Sequence, residues 1–380
     1  MDSLTQMALG AAVGELVLGR KVGNKAILWG AIAGTIPDLD VLSNLFLDDL
    51  RANEVHRGVT HSLLFTLIAA PLFGRWVKRH QRSFLAVFIA LLALVFVPGA
   101  ARFGTQVAIA AVALGIALAA WRVKATDTAT AREWGWLFGW VLVTHAWLDC
   151  FTTWGTQLFW PLPVKVSYNN IFVIDPLYTL PLLIGVVIVL FLRRNDPRRR
   201  RANGLGLVLS SAYMALTLAT KYTAHTAIAD SLHRQGIAYS AIATRPAPFN
   251  TILWTANVDC GDHYALAAYS LLDTRPEVEF VQVPKRPELL GTWAGHAQVR
   301  RLVELAEGNY VMQQRNDTLV FCDLRFGQMG APAPDKPFVF SYALLPAGED
   351  LRVVRMPSPK LDGPELRRWL GAHWQRIKGE

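Results

Sequence analysis

The stretch PLYTLPLLIGVVIVLFLRRNDPRRRRANGLGLVLSSAYMALTLATK, residues 176–221, sets the reading of the whole chain. Two apolar runs, near 176–192 and 204–221, flank Arg193, Arg194, Arg198, Arg199, Arg200 and Arg201. Crossing a bilayer core takes roughly 20 mostly apolar residues. The same alternation runs upstream, with apolar segments near 4–19, 26–42, 61–77, 83–98, 104–121 and 135–151. The first is short and carries Gly10, Gly14 and Gly19, which fits a re-entrant or interfacial helix. Glycines four apart also let two helices approach closely. The pattern predicts an all-α polytopic membrane bundle of about seven or eight membrane segments over residues 1–221.

Composition points the same way. The chain has 380 residues, 52% hydrophobic and 18% charged, against about 25% charged in soluble proteins. The net charge of +9 does not call for nucleic acid. Sixteen basic residues occupy alternate breaks: Arg20, Lys21, Lys25; Arg75, Lys78, Arg79, Arg82; Arg122, Lys124, Arg132; and the six arginines above. The other breaks hold four, namely Arg51, Arg57, Arg102 and Lys165. Cytoplasmic loops collect Lys and Arg, so the first set is expected inside. The expected partner is the lipid bilayer, with no nucleic acid. The expected place is a bacterial inner membrane, crossed several times. Met1-Asp2-Ser3 carries acid where a cleavable signal carries positive charge, so no signal peptide is expected.

From about residue 222 the pattern changes, and this orientation puts 222–380 on the periplasmic side. Apolar stretches shorten and alternate at 252–258, 264–272 and 280–283. Tyr310-Val311-Met312 and Leu319-Val320-Phe321, joined through Asn316-Asp317, read as a hairpin. Phe338 to Leu345 reads as a strand and 363–377 as an amphipathic helix. Together these predict a small α+β domain rich in antiparallel sheet. Cys150, Cys260 and Cys322 form no C-x-x-C pair. Cys260 and Cys322 could join if the domain meets an oxidising compartment.

Charged groups at or within spans are costly and read as functional by default. Pro37-Asp38-Leu39-Asp40 sets two carboxylates on irregular backbone, suited to a divalent cation or simply to a turn. His56-Arg57-Gly58-Val59-Thr60-His61 sets two imidazoles around a glycine that could turn both rings to one point. His145 and Asp149 are four apart and share a helix face, as ligands, as ligand and orienting carboxylate, or as a simple hydrogen-bonded pair. Asp175-Pro176, after Thr152, Thr153 and Thr156, reads first as a helix cap. All four sets fall on the outer face of the charge-derived topology. Asp38, Asp40, His56, His61, His145 and Asp149 thus form a candidate oxygen and nitrogen ligand set for one or two divalent ions. Zn²⁺ fits it best, with Mn²⁺ or Fe²⁺ also suited.

Met1-Asp2-Ser3-Leu4-Thr5, Pro37-Asp38-Leu39-Asp40, His56-Arg57-Gly58-Val59-Thr60-His61-Ser62, and His145 through Asp149 with Thr152 resemble the membrane-bound metal-dependent hydrolases. That family is also described as LexA-binding, inner-membrane-associated hydrolases. Gly155 to Pro161 and Ile174 to Tyr178 are similar to it as well, so the resemblance covers roughly residues 1–220. Family members often carry histidine after Thr5, where this chain has Gln6. The resemblance implies a metal-dependent hydrolase. The resemblance gives no substrate; the charge-derived topology turns the site to the periplasm, and its position at headgroup level suggests a lipid ester or phosphodiester. Catalytic roles would fall to Asp149, to Arg57 against an anionic substrate oxygen, and to Asp175 or Asp2 as a base. Two other readings stand beside it. One is a transporter-like bundle that relays protons or binds a cation. The other is a structural or regulatory membrane protein with a closed metal site.

Overall fold

The glycine spacing near the amino terminus is used for close helix packing. In the structure, a computed structural model describing residues 1–96, 128–275, 277–334, 336–348, 350–357 and 361–379, α1 spans Ser3–Val22 and α2 spans Asn24–Thr35. The Asp2 carboxylate caps α1 by accepting from the Thr5 amide at 3.1 Å. Gly23, at φ 62°, ends α1 and turns the chain back. A Cβ on Gly10 would meet the Gly30 carbonyl, and one on Gly34 would meet the Gln6 carbonyl. Gly30→Ala is therefore expected to cost about 1–3 kcal/mol by overpacking. A thermal scan of the purified chain reads this as a lower Tm, and an unchanged Tm would contradict so close an approach.

Helix α3 covers Asp49–Val55, α4 Leu63–Phe96, α5 Ala131–Asp149, α6 Pro176–Phe191 and α7 Pro197–Arg234. The capping box between Thr130 and Glu133 starts α5. Fully buried Trp29 of α2 packs edge-on against Phe84 of α4 and Trp134 of α5, at ring distances of 5.4 and 6.0 Å. Buried Glu15 of α1 pairs with buried Arg199 of α7 through two bonds of 3.0 and 2.8 Å.

The expectation of seven or eight spans is corrected here. The chain is a mix of helices and two antiparallel sheets. Among the described residues one helix, Pro197–Arg234, is long and apolar enough to cross a membrane. A second would count only if Asn24–Thr35 and Pro37–Leu45, bent by 43°, make one span. The physical reasons are local. Helix α2, with 12 residues, is only about 18 Å long. Helix α1 carries Glu15, Arg20 and Lys21, and α5 carries Arg132, Glu133, His145 and Asp149. Helix α4 leaves helical geometry at His80 (φ −139°, ψ 52°), amid Arg75, Lys78, Arg79 and Arg82. Much of the apolarity in α1 and α2 serves packing inside the protein, where Ala8, Ala12, Ala26 and Ala33 are buried. The expected segment near 104–121, with Arg102, Arg122 and Lys124, lies outside the described residues.

The chain divides into two units. The first holds Met1–Leu47, Val55–Tyr168 and Val173–Met214; the second holds Asp48–Glu54, Asn169–Phe172 and Ala215–Glu380.

In the second unit, β1 (Ala241–Pro246), β2 (Leu253–Asp259), β3 (His263–Ser270) and β4 (Phe280–Pro284) form one antiparallel sheet in that order. β5 (Tyr310–Arg315), β6 (Thr318–Gln328), β7 (Phe338–Ala347) and β8 (Asp350–Arg355) form another. β5 and β6 are the expected hairpin, pairing Met312 with Phe321 across Asn316, which sits at φ 51°. The period of two sorts the core. Tyr264 and Leu266 pack with Val320, Cys322 and Leu324 of the other sheet. Their neighbours Ala265 and Ala267 pack instead against Ile228 and Leu232 of α7. Phe321 faces the far side, with Leu302 and Leu305 of α8 (Ala297–Leu305) and with Leu50. The layers are therefore helix, sheet, sheet, helix. The last helix, α9 (Gly363–Ile377), lies where its amphipathic pattern placed it. All three cysteines are free, and burial pushes the Cys322 thiol up to about 11.

Candidate metal centre

Three breaks in helical structure build the site. Pro37 cannot continue α2, and a 3-10 turn over Pro37–Leu45 follows it. At about 120° per residue, Asp38 and Asp40 diverge on that turn rather than share one pocket. A second 3-10 turn, Val59–His61, presents His61. The left-handed residue before it is Arg57 (φ 56°), while Gly58 keeps a negative φ of −92°. The Arg57 amide donates to Asp40 Oδ2 at 2.8 Å and its carbonyl accepts from Gln157 at 3.0 Å. On α5, His145 and Asp149 share one face one turn apart.

The structure brings four of the six expected ligands together. One donor atom each from Asp38, His61, His145 and Asp149 lies within 4.8 Å of all the others. His61 Nε2 stands 3.1 Å from His145 Nε2, 3.5 Å from Asp38 Oδ1 and 3.3 Å from Asp149 Oδ2. His145 Nε2 stands 3.6 Å from Asp38 Oδ1 and 3.5 Å from Asp149 Oδ2. A tetrahedron with metal–ligand bonds of about 2.0–2.1 Å has edges of about 3.3 Å. His61, His145 and Asp149 are fully buried, and the Asp38 side chain is 19% exposed, so the cage opens at Asp38.

The ring tautomers follow from the partners behind them. His145 Nδ1 lies 2.7 Å from the Gly34 carbonyl, which can only accept, so it carries the proton. His61 Nδ1 lies 3.1 Å from Thr60 Oγ1, which can donate or accept, and 3.5 Å from the Asp40 carboxylate, whose charge favours a proton on that nitrogen. With both rings protonated on Nδ1, the two Nε2 lone pairs point at each other across 3.1 Å. Asp149 Oδ2, buried and without a hydrogen-bond partner, faces the same point. A metal ion held by the four groups, or a proton shared between the two rings, would relieve this arrangement.

Asp40 and His56 stand outside these four. Asp40 lies behind His61 and accepts from His56 Nδ1 at 2.9 Å, and the His56 ring packs edge-on to Trp154. Arg57 Nε sits 3.3 Å from Asp149 Oδ2 while Nη1 donates to Thr152 at 2.7 Å. Asp175 is engaged as the cap of α6, accepting from the Leu177 amide at 3.0 Å and the Tyr213 hydroxyl at 2.9 Å. Asp2 is likewise committed to capping α1.

Gln6 donates to Asp149 Oδ1 at 3.1 Å and to the His145 carbonyl at 3.3 Å. Its Oε1 is buried with no hydrogen-bond partner. The Met1 amino group also pairs with Asp149 Oδ1. Neither this contact nor the Gly34 carbonyl behind His145 had a signal in the sequence, since both are backbone groups far from Asp149 and His145 along the chain. Asp40→Asn should lower affinity for added Zn²⁺ by about 10–100-fold, the usual effect of losing a ligand's supporting carboxylate. Isothermal titration of the purified chain measures this, and an unchanged Kd would remove Asp40 from the site.

Residues 1–225 match the family model described as YdjM inner membrane protein. No curated protein and no solved structure matches the chain. The match carries the inner-membrane part of the resemblance drawn from the motifs, and its description speaks of neither hydrolysis nor LexA. The exposed ridge Leu180, Ile184 and Ile188 on α6 suits that setting.

Proposed function

The chain belongs to the YdjM inner membrane protein family, and from that premise we propose that it is a metal-dependent hydrolase. Its substrate is a lipid ester or phosphodiester reached at headgroup level, on the periplasmic side. The observation that carries the proposal is the meeting of His61 Nε2 and His145 Nε2 at 3.1 Å, beside the buried Asp149 Oδ2, which accepts no hydrogen bond. The set fits the metal: two imidazole nitrogens and two carboxylate oxygens, with no thiolate. Five of the six edges measure 3.1–3.6 Å and suit tetrahedral zinc, and the same nitrogen and oxygen donors also suit manganese or iron. When bound, the ion supplies Lewis acidity toward a carbonyl or phosphoryl oxygen and acidifies water.

The chain's own residues do the rest. His61, His145 and Asp149 are the fixed holders, each locked by a partner behind it. Asp38, partly exposed at the opening, is the holder that can yield room to substrate. Arg57, against Asp149, offers positive charge beside the cage for an anionic substrate oxygen. Asp175 keeps its cap and takes no part. What supports the periplasmic placement is the run of six arginines within 193–201, which stands ahead of the candidate span Pro197–Arg234 and marks that end as the cytoplasmic one.

The test is purification of the full chain in detergent, metal analysis, and hydrolysis of a nitrophenyl ester and of bis(p-nitrophenyl) phosphate before and after chelation. The proposal expects about one divalent ion per chain and turnover that falls on chelation and returns with the metal. A chain without metal would leave a shared proton between the two imidazoles, and the proton-relay reading would replace this one. Metal without turnover on either substrate class would favour a structural centre.

A further inference from the structure

We propose a second site in the first unit, unrelated to the metal centre: a pocket for the phosphate of an anionic phospholipid headgroup at the foot of α7. A cavity of about 860 Å³ lies where the end of α1 meets the start of α7, lined by Arg20, Arg194, Arg199, Arg200 and Arg201. Two of the acids near it are already committed. Glu15 is paired with Arg199, and Asp196 holds Arg198 through bonds of 2.8 and 3.1 Å. Among the described residues no carboxylate pairs with Arg20, Arg194, Arg200 or Arg201. Arg194 donates to the Lys21 carbonyl at 3.2 Å. The pocket therefore gathers guanidinium forks whose planar geometry matches phosphate oxygens, in a wall that the Glu15–Arg199 pair makes rigid.

The position selects a lipid over a soluble anion. Among the described residues helix α7 is the one unbroken helix long and apolar enough to cross a membrane, and its start carries Arg199, Arg200 and Arg201, with Arg194 just ahead of it. Directly beyond them Leu205 and Val208 are exposed, and exposed Leu16 lines the pocket itself. Guanidinium groups beside bare apolar side chains fit an amphiphile, with headgroup in the cavity and acyl chains along the helix. Basic pockets at the ends of membrane helices bind acidic lipids in this way.

The experiment titrates the full chain in neutral detergent with short-chain phosphatidylglycerol, with phosphatidylcholine, and with inorganic phosphate, following Tm and apparent Kd. Phosphatidylglycerol is expected to raise Tm and the other two to leave it unmoved. The variant Arg20→Gln/Arg200→Gln/Arg201→Gln, which keeps the Glu15–Arg199 pair, should bind phosphatidylglycerol at least about tenfold more weakly. Arg20→Lys/Arg200→Lys/Arg201→Lys, which keeps the charge, should recover part of the loss. A control with Arg352→Gln/Arg367→Gln/Arg368→Gln removes equal charge from the second unit and should bind like wild type. Equal response to both lipids, equal competition by inorganic phosphate, a lysine variant no better than the glutamine one, or equal loss in the control would each overturn the site.

Discussion

Replacing His145 with Asn is expected to empty the metal centre. The amide keeps a donor toward the Gly34 carbonyl, so the local fold has a substitute for the bond at 2.7 Å. What disappears is the Nε2 lone pair that stands within 3.6 Å of donors from His61, Asp38 and Asp149. Loss of a partner behind a ligand costs about 10–100-fold in affinity, so loss of a ligand should exceed about 100-fold. Purified His145→Asn should carry less than a tenth of the wild-type metal and show only background hydrolysis, and His61→Ala should behave alike. Removing either histidine also ends the lone-pair conflict, so the variants should lose metal without losing much Tm once the wild type has been stripped by chelator. A variant that keeps its metal would mean the ion is held elsewhere.

Replacing Arg199 with Leu is expected to cost about 3–5 kcal/mol, because it strands the buried Glu15 carboxylate. The guanidinium also donates to the carbonyls of Val189 and Leu192, at 3.0 and 2.7 Å, closing the end of α6. At roughly 2–4 °C per kcal/mol for a body of about 200 residues, Tm should fall by roughly 10 °C. The double variant Glu15→Leu/Arg199→Leu should recover much of this, since an apolar pair of similar volume replaces a costly charge. A double variant as unstable as the single one would show that the carbonyl bonds, and not the stranded charge, carry the effect.

The site was more legible in the sequence than the fold around it. His145 and Asp149, four apart on a helix, could be read directly, and so could the proline that breaks α2 before Asp38. The separation of Asp38 from Asp40 could not, because the residues after Pro37 do not by themselves specify a backbone geometry; the 3-10 turn there sets the two carboxylates toward opposite nitrogens of the His61 ring. The turn at Arg57 rather than Gly58 was hidden for a related reason. Asp40 and Gln157 hold the arginine backbone in a left-handed conformation that glycine would more readily adopt.

The strands of the second unit were visible because period-two alternation is local, as in β3, where Tyr264 and Ala265 face opposite layers. The number of membrane spans was misread because apolar composition does not distinguish lipid from protein as a neighbour. Gly10, Gly14, Gly30 and Gly34 make α1 and α2 pack on each other. That packing consumes apolar surface that the sequence alone assigned to the bilayer.

X-ray absorption at the metal edge of the purified full chain tests the central claim most directly. The account predicts a bound first-row ion with two imidazole nitrogens and carboxylate oxygens at about 2.0–2.2 Å, and loss of one imidazole shell in His145→Asn. A spectrum without a protein-bound ion, or with a shell that His145→Asn leaves unchanged, would contradict it.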